Sequence, residues 1–269
     1  MDVARSYHYD RFGDADRAAE LHRLQRQATV LLGAELAELQ RLGFGLGQRI
    51  LEVGCGPGFL TGPLSDIAGE AGGVGLDMSS ELLAAASAIV APAHPNVRFV
   101  QGNAYATGLQ DASFDFLYSR LLYQHLTRPL DALREAARVV RPGGQVCLMD
   151  IDDGFLTLYP CPPAFSRLTE LALTAQAHNG GDRLVARKLP GLMREAGLTD
   201  IRMRGITVSS LELGLGAFLD ITTRFKAIQV GSAESMALSN ELGALARMPP
   251  DQQPFGVVVA FFAVGRRPG

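Results

Sequence analysis

The sequence predicts an α/β fold in which a mostly parallel, doubly wound sheet carries helices on both faces. Short apolar segments of strand length alternate with segments in which apolar residues recur every three or four positions. Repeated strand–helix units of this length are typical of parallel sheets covered by helices. The chain has 269 residues, of which 47% are hydrophobic and 20% charged, so it can bury the core of one large domain.

The first half of the chain supplies most of this alternation. A long helix is predicted over residues 14–43, where leucine and alanine recur at helical steps between polar residues. The segment Arg141-Pro142-Gly143-Gly144 predicts the end of a helix and a turn. The predicted strands cover residues 49–53, a segment ending at Asp77, 96–102, 113–119 and 145–152, and helices are predicted over 79–91 and 129–140.

The alternation is interrupted after residue 152. Helical patterns over 164–178 and 212–247 are interpreted as insertions into one domain, because no repeat or low-complexity linker sets them apart. A helix over 187–196 and a strand over 200–208 resume the alternation. The β-rich run over 255–265 predicts a late strand inside the sheet.

Charge and cysteine usage argue against several classes of protein. The net charge of −3, with no run of Lys and Arg, gives no general attraction to a phosphate backbone. Cys55, Cys147 and Cys161 lack the spacing of a zinc site or a disulfide framework, which fits a reducing cytoplasm. The N-terminus lacks the apolar core of a signal peptide, and no run reaches the roughly 18 apolar residues of a membrane helix. We therefore expect a cytoplasmic protein with no nucleic-acid or membrane partner.

The most informative segment is the glycine-rich turn after the first strand. Gly54, Gly56 and Gly58 let a ligand lie against bare backbone, where a Cβ would collide with it. Asp77 ends the second strand and can accept hydrogen bonds from both ribose hydroxyls of an adenosine. A lone GxGxG is weak evidence among 30 glycines, but strand, glycines, helix, strand and acid in this order indicate a nucleotide-like ligand.

These segments resemble the motifs of the class I S-adenosylmethionine-dependent methyltransferases over roughly residues 49–152. The resemblance is carried by ILEVGCGPGFLT, VGLDMS, FVQGNAYATGL with SFDFLYSRLLYQHL, and ALREAARVVRPGGQVCLMD. A dinucleotide site would require GxGxxG, whereas GxGxG fits a cofactor without a phosphate. The resemblance implies a Rossmann-like, doubly wound, mostly parallel seven-stranded sheet with an antiparallel last strand, an N-terminal helical segment and helical insertions.

The resemblance also implies a binding site for S-adenosylmethionine, with S-adenosylhomocysteine as the product. Gly54, Cys55 and Gly56 would line the methionine part, Asp77 would hold the ribose, and Met78 would lie against the adenine. The full set of implied cofactor residues is Gln27, Glu52, Gly54, Cys55, Gly56, Gly58, Asp77, Met78, Asn103, Ala104, Ser119 and Arg120.

Several of these positions carry a choice of role. Asn103 stands where many relatives have Asp, and its amide can still accept from the adenine amino group. Ser119 and Arg120 are expected near the methionine portion. Glu52 either anchors the turn or meets the cofactor's amino group, and Gln27 is expected to contact the carboxylate or the ribose.

Methyl transfer mainly requires that a nucleophile be placed in line with the carbon–sulfur bond. His125 is the candidate general base, with a pocket-shaping role as the alternative. Tyr9, Tyr123, Asp152 and His178 are the candidate acceptor-side residues.

No metal is expected at this site. Asp150, Asp152 and Asp153 form the kind of oxygen-rich group that binds divalent cations. Metal-dependent relatives, however, add an acidic ligand after the fourth strand, where this chain has Tyr118 and Ser119.

The whole chain, residues 1–269, is expected to form a single methyltransferase domain. Its insertions are apolar and partly aromatic, which favours a mid-sized, partly hydrophobic acceptor such as a secondary metabolite or a quinone-like ring. Their length would also permit a homodimer. The expected parts are an N-terminal helical lid (1–47), a cofactor-binding core (48–152), substrate-side insertions (153–186 and 210–248) and closing strands (200–208 and 255–265).

Two other functions remain open from the sequence. The protein could bind S-adenosylmethionine without transferring the methyl group, either to catalyse a cyclisation or rearrangement or as a non-catalytic binding subunit. A nucleotide-dependent oxidoreductase would instead bind a dinucleotide with detectable affinity.

Overall fold

A computed structural model describes residues 14–269, which are built around one eight-stranded sheet. The strands lie in the order β3-β2-β1-β4-β5-β8, and β7 pairs with the other edge of β8. The strands are β1 (Ile50–Val53), β2 (Gly73–Asp77), β3 (Val97–Gln101), β4 (Phe114–Arg120), β5 (Val140–Ile151), β6 (Thr157–Tyr159), β7 (Thr199–Ser209) and β8 (Phe255–Arg266).

The directions of the strands confirm the predicted sheet. All neighbours from β3 to β5 are parallel, whereas β8 runs antiparallel to β5, β6 and β7. The predicted count of seven misses β6, which has three residues and pairs only with the beginning of β8. Three residues are too few to show the period-two alternation by which a strand is recognised.

Ten α-helices surround the sheet within the described residues. The predicted helices over 14–43, 79–91, 129–140, 164–178 and 187–196 are confirmed, with small shifts at their ends. The helices are α1 (Asp14–Leu42), α2 (Thr61–Ala68), α3 (Ser80–Ile89), α4 (Pro129–Val139), α5 (Pro163–His178), α6 (Leu189–Glu195), α7 (Ser210–Leu213), α8 (Leu215–Leu219), α9 (Phe225–Val230) and α10 (Ala233–Leu245). None of them is long and apolar enough to cross a membrane.

The helical stretch predicted over 212–247 is divided into shorter pieces. Gly214 separates α7 from α8, and Asp220–Arg224 forms a π-helical turn between α8 and α9. Gly231 adopts a left-handed conformation after α9, and the Ser232 side chain then caps α10. The apolar periodicity shows helix but does not reveal these breaks.

The predicted turn at residues 141–144 is wrong, because this segment belongs to β5. Helix α4 does end at Val139, as predicted, but the strand begins at the next residue. The pairing of β4 with β5 shifts register between Phe114 and Phe116, so the extra residues form a bulge. Gly143 has a φ of 77° within it, which glycine tolerates without strain.

The core lies on both faces of the sheet. Along β4, Leu117 packs with α4 and α6, while Phe116 and Tyr118 face the opposite side against α1 and α2. A third apolar cluster joins α5, α8, α9 and α10 to the beginning of β8. This packing places the insertion helices beside the carboxyl ends of the parallel strands, where ligands bind in open α/β sheets.

Candidate active site

A cavity of about 210 Å³ opens at the carboxyl ends of β1, β2 and β4. The glycine-rich turn, α1 and the helical segment around α9 form its walls. All of the predicted cofactor residues line this cavity except Gly58 and Ser119, and His125 lines it as well. The fold therefore brings together residues that lie up to 98 positions apart, from Gln27 to His125.

The glycine-rich turn and Asp77 form one hydrogen-bonded unit. The backbone N–H of Gly56 donates to Asp77 Oδ2 at 2.8 Å, and the N–H of Ser79 donates to Oδ1 at 2.9 Å. Gly54 and Gly56 both have positive φ, of 75° and 53°. A Cβ at Gly56 would meet no protein atom within 4 Å, so the cavity side of the turn is bare backbone.

Gly58 and Ser119 lie beneath the cavity rather than in its wall. A Cβ at Gly58 would lie 2.5 Å from Cζ of Phe99, so glycine is required there for the turn to pack against β3. The hydroxyl of Ser119 is buried and donates to the carbonyl of Val53 at 2.9 Å. Both residues hold the strands and the turn that carry the cavity-lining residues.

Glu52 is buried next to the turn and lines the cavity. Thr61 Oγ1 donates to its Oε2 at 2.5 Å. Burial raises the pKa of Glu52 to about 8, and the neighbouring carboxylate of Glu35 raises it further, against the lowering effect of the Thr61 hydrogen bond. The carboxyl group is therefore mostly protonated at neutral pH, and a cationic ligand group beside it would favour its ionised form.

Helix α1 is attached to the end of β4 through Arg120. The Arg120 guanidinium pairs with Glu35 at 3.0 Å and donates to the carbonyl of Gln27 at 3.0 Å. The hydroxyl of Tyr118 donates to the same Glu35 carboxylate. The Gln27 side chain accepts from Arg23 at 3.2 Å. These bonds fix α1 over the cavity.

The residues predicted to meet the adenine follow β2 and β3 and line the cavity there. Asn103 Oδ1 accepts from the N–H of Tyr105 at 2.9 Å, which forms a turn of the kind that Asn side chains stabilise. Ala104 lies in this turn and Met78 follows Asp77, and both line the cavity.

His125 lies at the end of a short 3₁₀ turn, Tyr123–His125, and is buried. Its Nδ1 lies 3.2 Å from Nε2 of Gln176. Burial lowers the pKa of His125 to about 3, and Arg183 and Arg23 lower it further. The ring is therefore neutral and weakly basic, which argues against the predicted general-base role and favours a pocket-shaping or hydrogen-bonding one.

The predicted acceptor-side residues do not meet at the cavity. Tyr123 is buried without lining it, and His178 is exposed at the end of α5. Asp152 is also buried away from it and accepts from two nitrogens of Arg187, at 2.5 and 2.6 Å. Tyr9 lies outside the described residues. Within residues 14–269, no group of three or more potential ligands could hold a metal ion.

The structure adds a set of basic residues that sequence reasoning missed. Arg23, Arg183 and Lys226 all line the cavity, and the Arg23 guanidinium lies 4.3 Å from the ring centroid of Phe225. Arg183 and Lys226 contact Asp153, which follows β5, whereas Asp77 ends β2, and β1 and β4 lie between these two strands. The three basic residues come from distant parts of the chain and belong to no motif.

Comparison with known proteins places the chain in a family. A family profile described as a methyltransferase domain matches residues 51–148. Demethylmenaquinone methyltransferase of Lactococcus lactis is 34% identical over 135 residues, which cover 49% of this chain and 51% of that protein. The Staphylococcus epidermidis protein of the same name is 30% identical over 186 residues, which cover 62% of this chain and 76% of that protein.

A solved structure of similar fold is phosphoethanolamine N-methyltransferase 2 of Haemonchus contortus in complex with S-adenosyl-L-methionine. It has a TM-score of 0.63 and 17% identity, and the match covers 100% of this chain and 61% of that one. The chain spans about half the length of most of the curated relatives it matches.

The chain belongs to the class I S-adenosylmethionine-dependent methyltransferases, which confirms the family predicted from the sequence. The residues of the cavity fit the cofactor of this family. The turn at Gly56 leaves room for a ligand against the backbone, and the Asp77 carboxylate is held in place beside it by two N–H groups. Met78 and Leu82 offer apolar surface next to that acid.

Proposed function

We propose that this protein transfers a methyl group from S-adenosylmethionine to a small, partly hydrophobic molecule. The observation that supports this proposal is the continuity of the cavity. One side is lined by the glycine-rich turn and Asp77, and the other by side chains of α1, β5 and the helical insertion. A cofactor and a second small molecule can therefore meet within one continuous cavity.

The residues on the turn side have the chemistry to hold the cofactor. Asp77 would accept from the ribose hydroxyls, Met78 and Ala104 would lie against the adenine, and the backbone at Gly54 and Gly56 would hold the methionine portion. Arg120 and Gln27 are the residues that we expect near its carboxylate, because both line the cavity where α1 meets β4. When bound, S-adenosylmethionine supplies a methyl group on a sulfonium, whose loss leaves S-adenosylhomocysteine.

The remaining work of the protein is to position the acceptor and to exclude water. Leu24, Leu122, Ile221 and Phe225 line the cavity and give it an apolar surface. These half-buried apolar side chains favour an acceptor with substantial hydrocarbon area. The neutral ring of His125 can exchange a hydrogen bond with a polar group of that acceptor.

The relatives support a small-molecule acceptor without identifying it. Two of them are named demethylmenaquinone methyltransferases, and a third, from Marinomonas, is named a malonyl-[acyl-carrier protein] O-methyltransferase. Their acceptors differ in size and in chemistry, so we carry over only the reaction.

Calorimetric titration of the purified protein with S-adenosylmethionine, S-adenosylhomocysteine and NADH tests the proposal. We expect micromolar binding of the first two and no response to NADH. Incubation with S-adenosylmethionine and candidate acceptors should then give S-adenosylhomocysteine together with a methylated product. Tight cofactor binding with a rearranged, unmethylated product would instead support the cyclisation alternative.

A further inference from the structure

Three basic residues line the part of the cavity beside α9 and the segment that follows β5. We call the set Arg23, Arg183 and Lys226 the basic end. All three side chains are almost fully buried, and all three line the cavity. Buried cations require partners, because removing a charge from water is costly. The partners of these three decide what the cavity presents to a ligand.

Two of the cations share one carboxylate. Lys226 Nζ lies 2.8 Å from Asp153 Oδ2, and a guanidinium nitrogen of Arg183 lies 3.6 Å from the same oxygen. Among the described residues, neither oxygen of Asp153 nor the Lys226 ammonium has a well-directed hydrogen bond. One buried carboxylate thus faces two buried cations.

Two further carboxyl groups lie near the basic end. Glu20 pairs with Arg23 at 2.6 Å on the same helix. Asp150 accepts from the N–H groups of Gln124 and Ile151 at 3.1 and 3.0 Å, and burial raises its pKa to about 7. Asp150 is therefore only partly ionised at neutral pH, and its negative charge adds to that of Asp153 near Arg183.

The residues that line the cavity determine what a bound ligand would contact. Arg23, Arg183 and Lys226 line it, whereas Glu20 and Asp153 do not, and nor does Asp150. The residues that line this part of the cavity are therefore the basic ones, and the carboxyl groups that pair with them belong to residues outside its lining. Burial also lowers the pKa of Lys226 to about 8, a shift that a nearby anion would reverse.

A chain of glutamines holds Arg183 in place. Gln229 accepts from Arg183 and donates to Gln176, whose Nε2 donates to the carbonyl of Gln124 at 2.6 Å. The same Gln176 nitrogen lies 3.2 Å from His125. The guanidinium is therefore fixed by side chains from α5 and α9 before any ligand arrives, which lowers the entropic cost of binding.

We propose that the acceptor is an anion: a largely apolar small molecule whose carboxylate or phosphate group pairs with Lys226 and Arg183. This inference rests on the proposed methyl transfer and specifies its substrate class. The apolar walls hold the body of the acceptor, and the basic end fixes its orientation. Lys226 and Arg183 act here as specificity-determining residues, because an uncharged acceptor would leave two buried cations to share the one carboxylate of Asp153.

The scarcity of lysine allows a direct test. Lysine labelled with ¹³C at Cε gives two signals, because the chain contains only Lys188 and Lys226. Lys188 is exposed and pairs with Asp182, so a Lys188→Arg variant assigns the signals without disturbing the cavity. The pKa of each lysine is then followed by NMR as benzoate, phenyl phosphate or uncharged benzyl alcohol is added, with and without saturating S-adenosylhomocysteine.

We expect benzoate or phenyl phosphate to raise the pKa of Lys226 by about 1. Lys188 should not respond, and benzyl alcohol should leave both values unchanged. A larger response to benzoate would identify a carboxylate acceptor, and a larger response to phenyl phosphate would identify a phosphate. No response to either anion, or an equal response to benzyl alcohol, would overturn the proposal.

Variants separate this inference from the proposed function. Lys226→Met should weaken benzoate or phenyl phosphate binding at least tenfold, Lys226→Arg should restore most of it, and Lys188→Met should have no effect. The affinity for S-adenosylhomocysteine should be the same in all of them.

If Lys226→Met instead weakens S-adenosylhomocysteine binding, the basic end serves the cofactor's own carboxylate and the proposal is wrong. Failure of the wild-type protein to bind S-adenosylhomocysteine would count against the proposed function, while the anion titration without it still decides this inference. If Lys226→Met does not fold, the wild-type NMR titration decides alone.

Discussion

The two ends of the cavity are built in different ways. One end, which we call the turn end, is formed by the glycine-rich turn at Gly54–Gly58 and by Asp77. Its key groups are backbone N–H groups and a carboxylate, and they come from short segments that follow consecutive strands. At the basic end, the key groups are long side chains from three separate places in the chain: Arg23 on α1, Arg183 in the loop between α5 and α6, and Lys226 on α9. One end is set by local backbone geometry, whereas the other depends on how distant helices pack.

This difference matches the demands on each end. The cofactor is common to S-adenosylmethionine-dependent methyltransferases, and in this chain the residues that fit it are a turn and an acid that follow consecutive strands. The acceptor differs between relatives, as their names indicate. Side chains carried by insertions can change without disturbing the sheet. The contrast predicts that substitutions at the two ends will separate stability, cofactor binding and acceptor binding.

Asp153→Ala should have the largest effect, and it acts on the basic end. The change leaves Arg183 and Lys226 buried without their shared carboxylate, which should cost about 3–5 kcal/mol of the free energy of unfolding. Urea denaturation measures it. The control is Asp111→Ala, which removes an exposed carboxylate paired with Arg138 and should cost below about 1 kcal/mol. Equal losses of unfolding free energy in the two variants would mean that the buried Asp153 carboxylate stabilises the fold no more than an exposed ion pair does.

Gly58→Ala tests the packing beneath the turn end. The new Cβ would meet Phe99 and would hold a positive φ of 73°, so we expect a loss of about 3 kcal/mol of unfolding free energy. Gly47→Ala is the matched control, because Gly47 has a φ of 80° but open space around it. It should lose only the backbone strain, about 1 kcal/mol. A difference near zero between the variants would show that Phe99 moves aside freely.

Asp77→Ala tests the ribose contact. Loss of hydrogen bonds to a charged group should weaken S-adenosylhomocysteine binding by about 1.5–3 kcal/mol, or roughly ten- to a hundredfold. Calorimetry provides the measurement, and Asp66→Ala is the control, since Asp66 is exposed on α2 and pairs with His94. Unchanged affinity in Asp77→Ala would contradict the placement of the ribose.

The smallest expected effect concerns pH and Glu52. Its pKa in the folded protein, about 8, lies above the ordinary value of 4.5, so the folded state binds more protons than the unfolded state between these values. The contribution of Glu52 to stability is therefore full below pH 4.5 and falls as the pH rises towards 8.

Relative to Glu52→Gln, the wild-type protein should lose about 1 kcal/mol of unfolding free energy between pH 6 and pH 7. Denaturation curves at the two pH values measure it. Glu195→Gln, at an exposed position on α6, should show no such trend. If the difference in unfolding free energy between wild type and Glu52→Gln is the same at both pH values, Glu52 is already ionised in the folded state.

Sequence reasoning reached the turn end because its residues are close together along the chain. Strand periodicity located β1, β2 and β4, and the motif then placed Asp77 at the same edge as Gly54. The short strand β6 and the bulge at residues 141–144 escaped it, because both are set by pairing with other strands rather than by local pattern.

Sequence reasoning did not find the acceptor side of the cavity, for a related reason. Tyr123, Asp152 and His178 were chosen by their position after strands or in insertions, yet their side chains point to the core, to Arg187 or to the surface. Arg183 and Lys226 reach the cavity only because α5 and α9 pack together. The homodimer and the cytoplasmic location stay predictions.

The most direct test of the two-ended cavity is a parallel calorimetric titration of the wild-type, Asp77→Ala and Lys226→Met proteins with S-adenosylhomocysteine. We predict that affinity falls at least tenfold in Asp77→Ala and is unchanged in Lys226→Met. The opposite pattern, with the loss at Lys226 and none at Asp77, would contradict the assignment of cofactor and acceptor to their ends of the cavity.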